Sequence, residues 1–197
     1  MNPNIIKTID FVSKIGLIIH NQTDISAESI VTHIHIENGE IYVNPNLVTV
    51  SDLLHECAHL ALIPKTYRIY FTGNLHKGFE KYLSQITEID SISYYLMQAS
   101  DDDGATAWAW AVGKLLNISE EDIIDDSSYD HSGEYVRNEL RSGWHSGISG
   151  LHYANYTSKR GVCLLNPGSK KAVFPEMDFW TADDVLNHFN ADSMAFS

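Results

Sequence analysis

The stretch that decides the fold reads Leu53-Leu54-His55-Glu56-Cys57-Ala58-His59-Leu60-Ala61. Apolar residues surround two histidines that lie four positions apart in this run. On an α-helix, that spacing places both imidazoles on one face, one turn apart. The apolar neighbours predict that the remaining surface of the helix is buried. The stretch therefore predicts a buried helix that presents a pair of histidines on one side.

The limits of this helix are also indicated. Either Thr49 or Ser51 can cap its start, and Asp52 suits the first turn because a helix N-terminus favours negative charge. The helix is predicted to run to about Ile63 and to stop at Pro64, since the residue before a proline avoids the helical conformation.

The histidine pair indicates a metal site. Two imidazole nitrogens on one helix face can converge on one ion at about 2 Å. Glu56 lies beside them and can accept the proton of a metal-bound water as a general base. We therefore predict that His55 and His59 bind Zn²⁺ and that Glu56 is catalytic. The alternative is a buried helix whose two histidines are hydrogen-bonded to neighbouring groups.

A catalytic zinc site usually takes three protein ligands and leaves one position open. The chain offers an acidic cluster further along, at Asp101, Asp102 and Asp103. The cluster opens a predicted helix of residues 101–116, whose small residues would let two helices approach closely. A solvated helix N-terminus is the alternative for these acids.

The two motifs together resemble those of known proteins. Zincin-type metallopeptidases carry the His-Glu-x-x-His helix and often take a third ligand from a downstream helix that reads acidic-x-x-Ala. The run Asp102-Asp103-Gly104-Ala105 fits that frame. The chain also resembles an uncharacterised bacterial family with a Leu-His-Glu-x-x-His segment, a Pro and an Ala-x-Ala-Trp helix, and, more distantly, the repressor-cleaving metallopeptidases of mobile elements.

This resemblance implies a zincin-like α+β fold, Zn²⁺ as cofactor, and a peptide or protein substrate. It implies Asp102 as the third ligand, with Asp101 and Asp103 as the other candidates. The chain departs from the common pattern because the third ligand is usually Glu. Asp is one methylene shorter, so the two helices must lie closer or the ligation must differ.

Histidines in the aromatic C-terminal region are candidates for stabilising an oxyanion, as a later His or Tyr often does in zincins. His145 and His152 are predicted catalytic residues on this basis, and Tyr153 is a further candidate. The alternative for each of them is a packed polar segment without a catalytic role.

The rest of the chain predicts a single domain of residues 1–197 with an irregular C-terminal region from about residue 143. A hairpin or small sheet is expected beside the metal helix, and a second long helix is expected to cross it. The predicted strands cover residues 30–36 and 41–43, and further helices are predicted at 4–19, 78–98, 132–141 and 181–189. Thr181 and Asp184 have the spacing of a capping box for the last of these.

Two other features have competing interpretations. His33 and His35 share one face of the first predicted strand, so they form a second metal pair, a substrate-facing edge or the solvent-facing side of that strand. Trp108, Trp110 and Trp144 could line a pocket, but the two on the predicted helix could instead pack in the core. Cys163 is predicted to be a small buried residue.

Composition excludes some classes of function. The formal net charge is −13 over 197 residues. Such a protein is a poor nucleic-acid binder, because neutralising phosphates takes clustered Lys and Arg. No apolar run is long enough for a membrane span. With two cysteines and no convincing signal peptide, a reducing cytoplasmic location is expected.

The sequence therefore predicts a zinc-dependent hydrolase, most simply a metallopeptidase. Two other classes remain open at this point. One is a zinc hydrolase of non-peptide amides, which a narrow cleft would favour. The other is a non-catalytic metal-binding or regulatory protein, which a fourth protein ligand closing the site would favour.

Overall fold

The computed structural model describes residues 1–25, 33–73, 75–88, 91–127, 129, 132–158 and 172–195. Across these residues the protein is α+β and mostly helical, with one small sheet. The predicted class is therefore confirmed at this level. Cys163 and residues 30–32 of the first predicted strand lie outside the described residues.

The sheet has three strands: β1 (Ile19–Asn21), β2 (Ile34–Glu37) and β3 (Glu40–Val43). Their order is β1-β3-β2, with β2 antiparallel and β1 parallel to β3. Asn38 and Gly39 form the hairpin turn with φ of 52° and 76°, as two-residue hairpin turns require. The hairpin is thus confirmed, whereas β1 was not predicted, and its first residue, Ile19, was expected to end the first helix.

His33 departs from the predicted strand. Its φ is 70°, and it lies in a turn ahead of β2. His35 lies within β2, and its ring stacks on Tyr42 of β3 at a centroid distance of 4.9 Å. The prediction that both histidines share one strand face is therefore wrong, because the left-handed residue interrupts the alternation.

The described residues contain α1 to α10 in chain order. None of these helices has the length and apolar composition needed to cross a membrane. Their bounds are Pro3–Lys14, Val50–Ala61, Lys65–Arg68, Leu75–Leu83, Ile92–Ala99, Asp102–Leu115, Glu120–Ile123, Gly133–Ser142, Ser146–Tyr153 and Ala182–Ala195.

The helices predicted from periodicity and capping are largely confirmed. They appear as α2, α6, α8 and α10. The capping box of α10 is present, since the Thr181 hydroxyl accepts from the Asp184 amide at 3.2 Å and the Asp184 carboxylate accepts from the Thr181 amide at 3.1 Å.

Three predictions of helical extent were wrong. The first helix ends at Lys14, before Gly16 adopts a left-handed φ of 90°. Residues 78–98 contain the end of α4 and most of α5 rather than one helix. The region from residue 143 was expected to be irregular, yet it contains the two-turn helix α9.

One hydrophobic cluster of described residues joins the sheet to the helices. The apolar face of the sheet contributes Ile34, Ile36, Ile41 and Val43. Helix α6 packs on α2 and on α9, so it forms the centre of the helical layer. Trp108 and Trp110 are both buried, which confirms the core interpretation for these rings.

Candidate metal centre

The helix α2 begins where the capping residues predicted. The Thr49 hydroxyl accepts a hydrogen bond from the Asp52 amide at 2.9 Å, so Thr49 rather than Ser51 is the N-cap. One turn apart on this helix, the Nε2 atoms of His55 and His59 lie 3.1 Å from each other.

The neighbouring thiol is not part of the polar face. Cys57 is fully buried in the hydrophobic cluster, and burial raises the pKa of its thiol. The thiol is therefore protonated at neutral pH, and a protonated thiol is a poor metal ligand.

The three acids at the start of α6 have different partners. Asp101 is the N-cap, and its Oδ1 accepts from the Gly104 amide at 2.8 Å. The Asp103 carboxylate accepts from the Ser146 hydroxyl. Asp102 points towards α2, where its Oδ1 lies 3.4 Å from His59 Nε2 and 3.7 Å from His55 Nε2.

Two glycines allow α5, α6 and α9 to approach one another closely beside Asp102. A Cβ on Gly104 would lie 1.9 Å from the carbonyl oxygen of Ala99, at the end of α5. A Cβ on Gly147 of α9 would lie 1.9 Å from the carbonyl oxygen of Asp103. Neither contact tolerates a larger residue without a shift, so α5, α6 and α9 converge beside Asp102.

The charges of this cluster reinforce one another. The nearby imidazoles of His55 and His59 hold the pKa of Asp102 well below its usual range. Burial opposes protonation of His59, but its contact with Asp102 and the charge of Glu56 raise its pKa overall. The site therefore attracts positive charge, as a proton or as a cation.

The ring of His59 is also held at Nδ1, the nitrogen that faces away from Asp102. Its Nδ1 lies 2.8 Å from the carbonyl oxygen of Ser100, in the short link between α5 and α6. Because a carbonyl oxygen only accepts, Nδ1 is the donor in this contact, and Nε2 is the ring nitrogen that faces Asp102. A metal-binding histidine is usually held in this way.

Glu56 lies beside the pair and is partly buried. Burial raises the pKa of its carboxyl, and the two imidazoles oppose that shift. No described residue donates a hydrogen bond to this carboxylate. A carboxylate with a raised pKa and no competing partner is suited to proton transfer.

The three donor atoms fit the size of a zinc ion. They all lie within 4.8 Å of one another. Zinc bonds of about 2.0–2.1 Å at a tetrahedral angle place neighbouring ligand atoms about 3.3–3.5 Å apart. The three measured separations, 3.1, 3.4 and 3.7 Å, bracket that value. Among the described residues, no fourth His, Cys, Asp or Glu joins the group.

His145 lies near the aspartates at the start of α6, but its ring makes a contact that stabilises a helix end. It is the N-cap of α9, and its Nδ1 accepts from the Gly147 amide at 3.2 Å. Burial lowers its pKa, which keeps the ring neutral and able to accept. Its catalytic role stays a prediction.

His152 lies further from the three ligands. Gly150 packs over Ala99, and the Tyr153 ring stacks on Tyr95 at 6.3 Å, so α9 runs antiparallel to α5 and away from the site. The His152 ring contacts the backbone carbonyl of Thr157, at 3.4 Å, and the neighbouring ring of Tyr153. Neither His152 nor Tyr153 is among the converging groups.

Two groups near the site were missed from the sequence. The first is the Ser100 carbonyl, which carries no side-chain signal. The second is the Tyr129 hydroxyl, 3.1 Å from the hydroxyl of Thr106, which lies one turn beyond Asp102 on α6. Burial raises the pKa of Tyr129 to about 12, so it remains a donor at neutral pH.

Comparison of the chain with protein-family models, with curated proteins and with solved structures gives no match. The resemblance to zincin-type metallopeptidases therefore rests on the two motifs alone.

Proposed function

We propose that this protein is a zinc-dependent hydrolase of peptide bonds. His55, His59 and Asp102 hold the ion, and Glu56 transfers the proton. The observation that carries the proposal is the convergence of three donor atoms beside a partly buried carboxylate to which no described residue donates a hydrogen bond. The choice of a peptide bond rests on the likeness of the two motifs to zincin-type metallopeptidases.

The donor set favours zinc. Two imidazole nitrogens and one carboxylate oxygen are a usual combination for a catalytic zinc ion. A hard cation such as Ca²⁺ or Mg²⁺ would favour more oxygen ligands than the described residues offer here. Bound zinc supplies Lewis-acid activation of water and of the scissile carbonyl.

Residues of the chain itself transfer the proton and orient the ligands. Glu56 accepts a proton from the attacking water and returns it to the leaving amine. The Ser100 carbonyl fixes the tautomer of His59. The side chain of Asp102 is 91% exposed, so the site is open to solvent and substrate on that side.

An open site argues for catalysis over a structural role. Structural zinc sites are closed by four protein ligands, whereas catalytic sites keep a position free. The described residues supply three ligand atoms to the group and no fourth. This observation favours a hydrolase over a protein in which zinc only stabilises the fold.

The metal assignment is tested by elemental analysis of the purified protein. We expect about one zinc ion per wild-type chain, as in a mononuclear site, and none in His59→Ala. The matched control is His35→Ala, which removes a histidine from the outer sheet face and should leave the zinc content unchanged. A zinc-free wild type, or full zinc in His59→Ala, would overturn the assignment.

The catalytic assignment is tested by incubating the protein with a peptide library and identifying the products by mass spectrometry. Glu56→Gln should retain zinc but lose about 10²–10⁴-fold in cleavage rate. Glu121→Gln makes the same change at an exposed position and should cleave at the wild-type rate. Full activity in Glu56→Gln would refute the role of Glu56, and an inactive zinc-loaded wild type would refute the peptide substrate.

A further inference from the structure

The hydroxyl of Ser51 has no hydrogen-bond partner among the residues that the structure describes. Ser51 lies in the first turn of α2 and is 1% exposed. It is the only described buried side-chain polar atom without a hydrogen bond. Capping does not explain it, because Thr49 already binds the amide at the start of the helix. A buried polar group left unpaired typically costs about 1–3 kcal/mol.

Ser51 lies on the same side of α2 as the predicted zinc ligands. Ser51, His55 and His59 follow one another at intervals of four residues, which places them in one stripe along the helix. Helical side chains lean towards the helix N-terminus and cover the preceding turn. The imidazole of His55 therefore leans over the turn that contains Ser51.

The two histidines differ in how they are held. His59 has its Nδ1 against the Ser100 carbonyl at 2.8 Å, while its Nε2 faces Asp102. His55 also turns Nε2 towards the cluster. No described residue, however, accepts a hydrogen bond from its Nδ1. The described contacts therefore hold the His59 ring at both of its nitrogens, and the His55 ring at Nε2 only.

We propose that Ser51 is the positioning residue of His55. Its hydroxyl accepts the Nδ1–H hydrogen bond when Nε2 binds zinc, and it thereby selects the tautomer of that ring. The inference rests on the proposed zinc site. A rotation about the Cα–Cβ bond of serine, between staggered positions, is enough to re-aim the hydroxyl. This contact would account both for the buried Ser51 hydroxyl and for the lack of a described acceptor at His55 Nδ1.

Asp52 is the competing acceptor. It lies three residues before His55, so its side chain is also a neighbour on the helix. Its charge acts on Glu56 and on Tyr129, and it has other interactions in the fold. Ser51 is favoured because its hydroxyl is buried and unpaired, whereas Asp52 is partly exposed and already engaged.

The experiment measures zinc affinity by competition with a fluorescent chelator, in apo protein titrated with Zn²⁺. Loss of an outer hydrogen bond to a ligand histidine lowers metal affinity about 10–100-fold, and we expect this loss in Ser51→Ala. The matched control is Thr8→Val. It removes a buried hydroxyl that donates to the Asn4 carbonyl within α1, away from the histidines, so its affinity should equal that of the wild type.

The unfolding of the apo variants separates positioning from folding. Ser51→Ala removes an unpaired hydroxyl, so its apo form should be as stable as the wild type or more stable. In zinc-loaded wild type, NMR should show a slowly exchanging Nδ1 proton on His55, and this signal should be lost in Ser51→Ala.

The outcomes distinguish the two proposals. A wild type that does not bind zinc would overturn the proposed function itself. A zinc-binding wild type with unchanged affinity in Ser51→Ala would overturn only the role of Ser51. Weaker binding in Asp52→Asn together with unchanged Ser51→Ala would assign the contact to Asp52 and would also overturn the inference.

Discussion

Three consecutive aspartates perform three different tasks at the start of α6. Successive residues of a helix point about 100° apart, so adjacent side chains face different neighbours. Asp101 caps the helix, Asp102 faces the histidines of α2, and Asp103 binds Ser146 of α9. The same residue type therefore stabilises a helix at one position and a candidate ligand set at the next.

Alanine substitutions should separate capping from metal binding. We expect Asp101→Ala to lower the free energy of unfolding by about 0.5–2 kcal/mol and to keep zinc. Asp102→Ala should weaken zinc binding more than about 100-fold, beyond the loss expected for an outer contact. Chemical denaturation and chelator competition measure the two effects.

Asp103→Ala is the control for charge, because it removes the same charge from the same turn without removing a ligand. Its zinc affinity should stay close to that of the wild type. If Asp101→Ala or Asp103→Ala lost zinc while Asp102→Ala retained it, the third ligand would be reassigned.

At the scale of the element, the contact between α6 and α9 depends on a glycine. The backbone of α9 meets that of α6 at Gly147, where a Cβ would overlap the Asp103 carbonyl. Gly150, one turn later, has ordinary space, since its Cβ would lie 3.6 Å from the nearest atom. Both glycines belong to the same short helix, so they form a matched pair.

We expect Gly147→Ala to destabilise the protein by about 1–3 kcal/mol, the range of overpacked sites. Zinc affinity should also fall, because the displaced backbone of Asp103 and Gly104 directly follows Asp102. Gly150→Ala should be neutral or stabilising by up to about 1 kcal/mol, since alanine favours the helix. Urea denaturation of both variants measures this, and equal stability would contradict the close-packing argument.

At the scale of the whole molecule, one ion cluster links three helices. Glu120 of α7 lies 3.0 Å from Lys114 Nζ of α6 and 2.8 Å from Arg141 Nε of α8. These partners, Arg141 first, lower the pKa of Glu120 below its ordinary value of 4.5. The 26 Asp and Glu residues of the chain outnumber its 13 Lys and Arg residues two to one, so basic partners for acids are scarce.

The lowered pKa predicts a pH-dependent contribution to stability. The ion pairs of Glu120 stabilise the fold fully above the ordinary pKa of 4.5, and this stabilisation is lost as the pH falls through the lowered folded-state pKa. We expect a small difference in unfolding free energy between wild type and Glu120→Gln at neutral pH, as is usual for exposed pairs. It should vanish once the pH falls below the lowered folded-state pKa.

A double-mutant cycle with Arg141→Gln checks the partner. In the Arg141→Gln background, the effect of Glu120→Gln should shrink at neutral pH because the main partner is absent. A pH-independent difference between wild type and Glu120→Gln would contradict the electrostatic explanation.

Local signals in the chain were sufficient for much of this structure. The positions of α2 and α6 follow from their caps and from the apolar residues around His55 and His59. The capping box at Thr181 and the turn at Asn38-Gly39 were equally predictable. Each of these features involves residues within one turn or one hairpin, where spacing alone decides which groups meet.

Contacts between residues that lie far apart in the sequence were determined only by the tertiary structure. Sequence spacing limited the third ligand to three aspartates, but only the approach of α6 to α2 brings Asp102 to the histidines. The support of His59 comes from a carbonyl, which every residue possesses, so no sequence pattern can reveal it. The unpaired hydroxyl of Ser51 is visible only once all of its neighbours are in place.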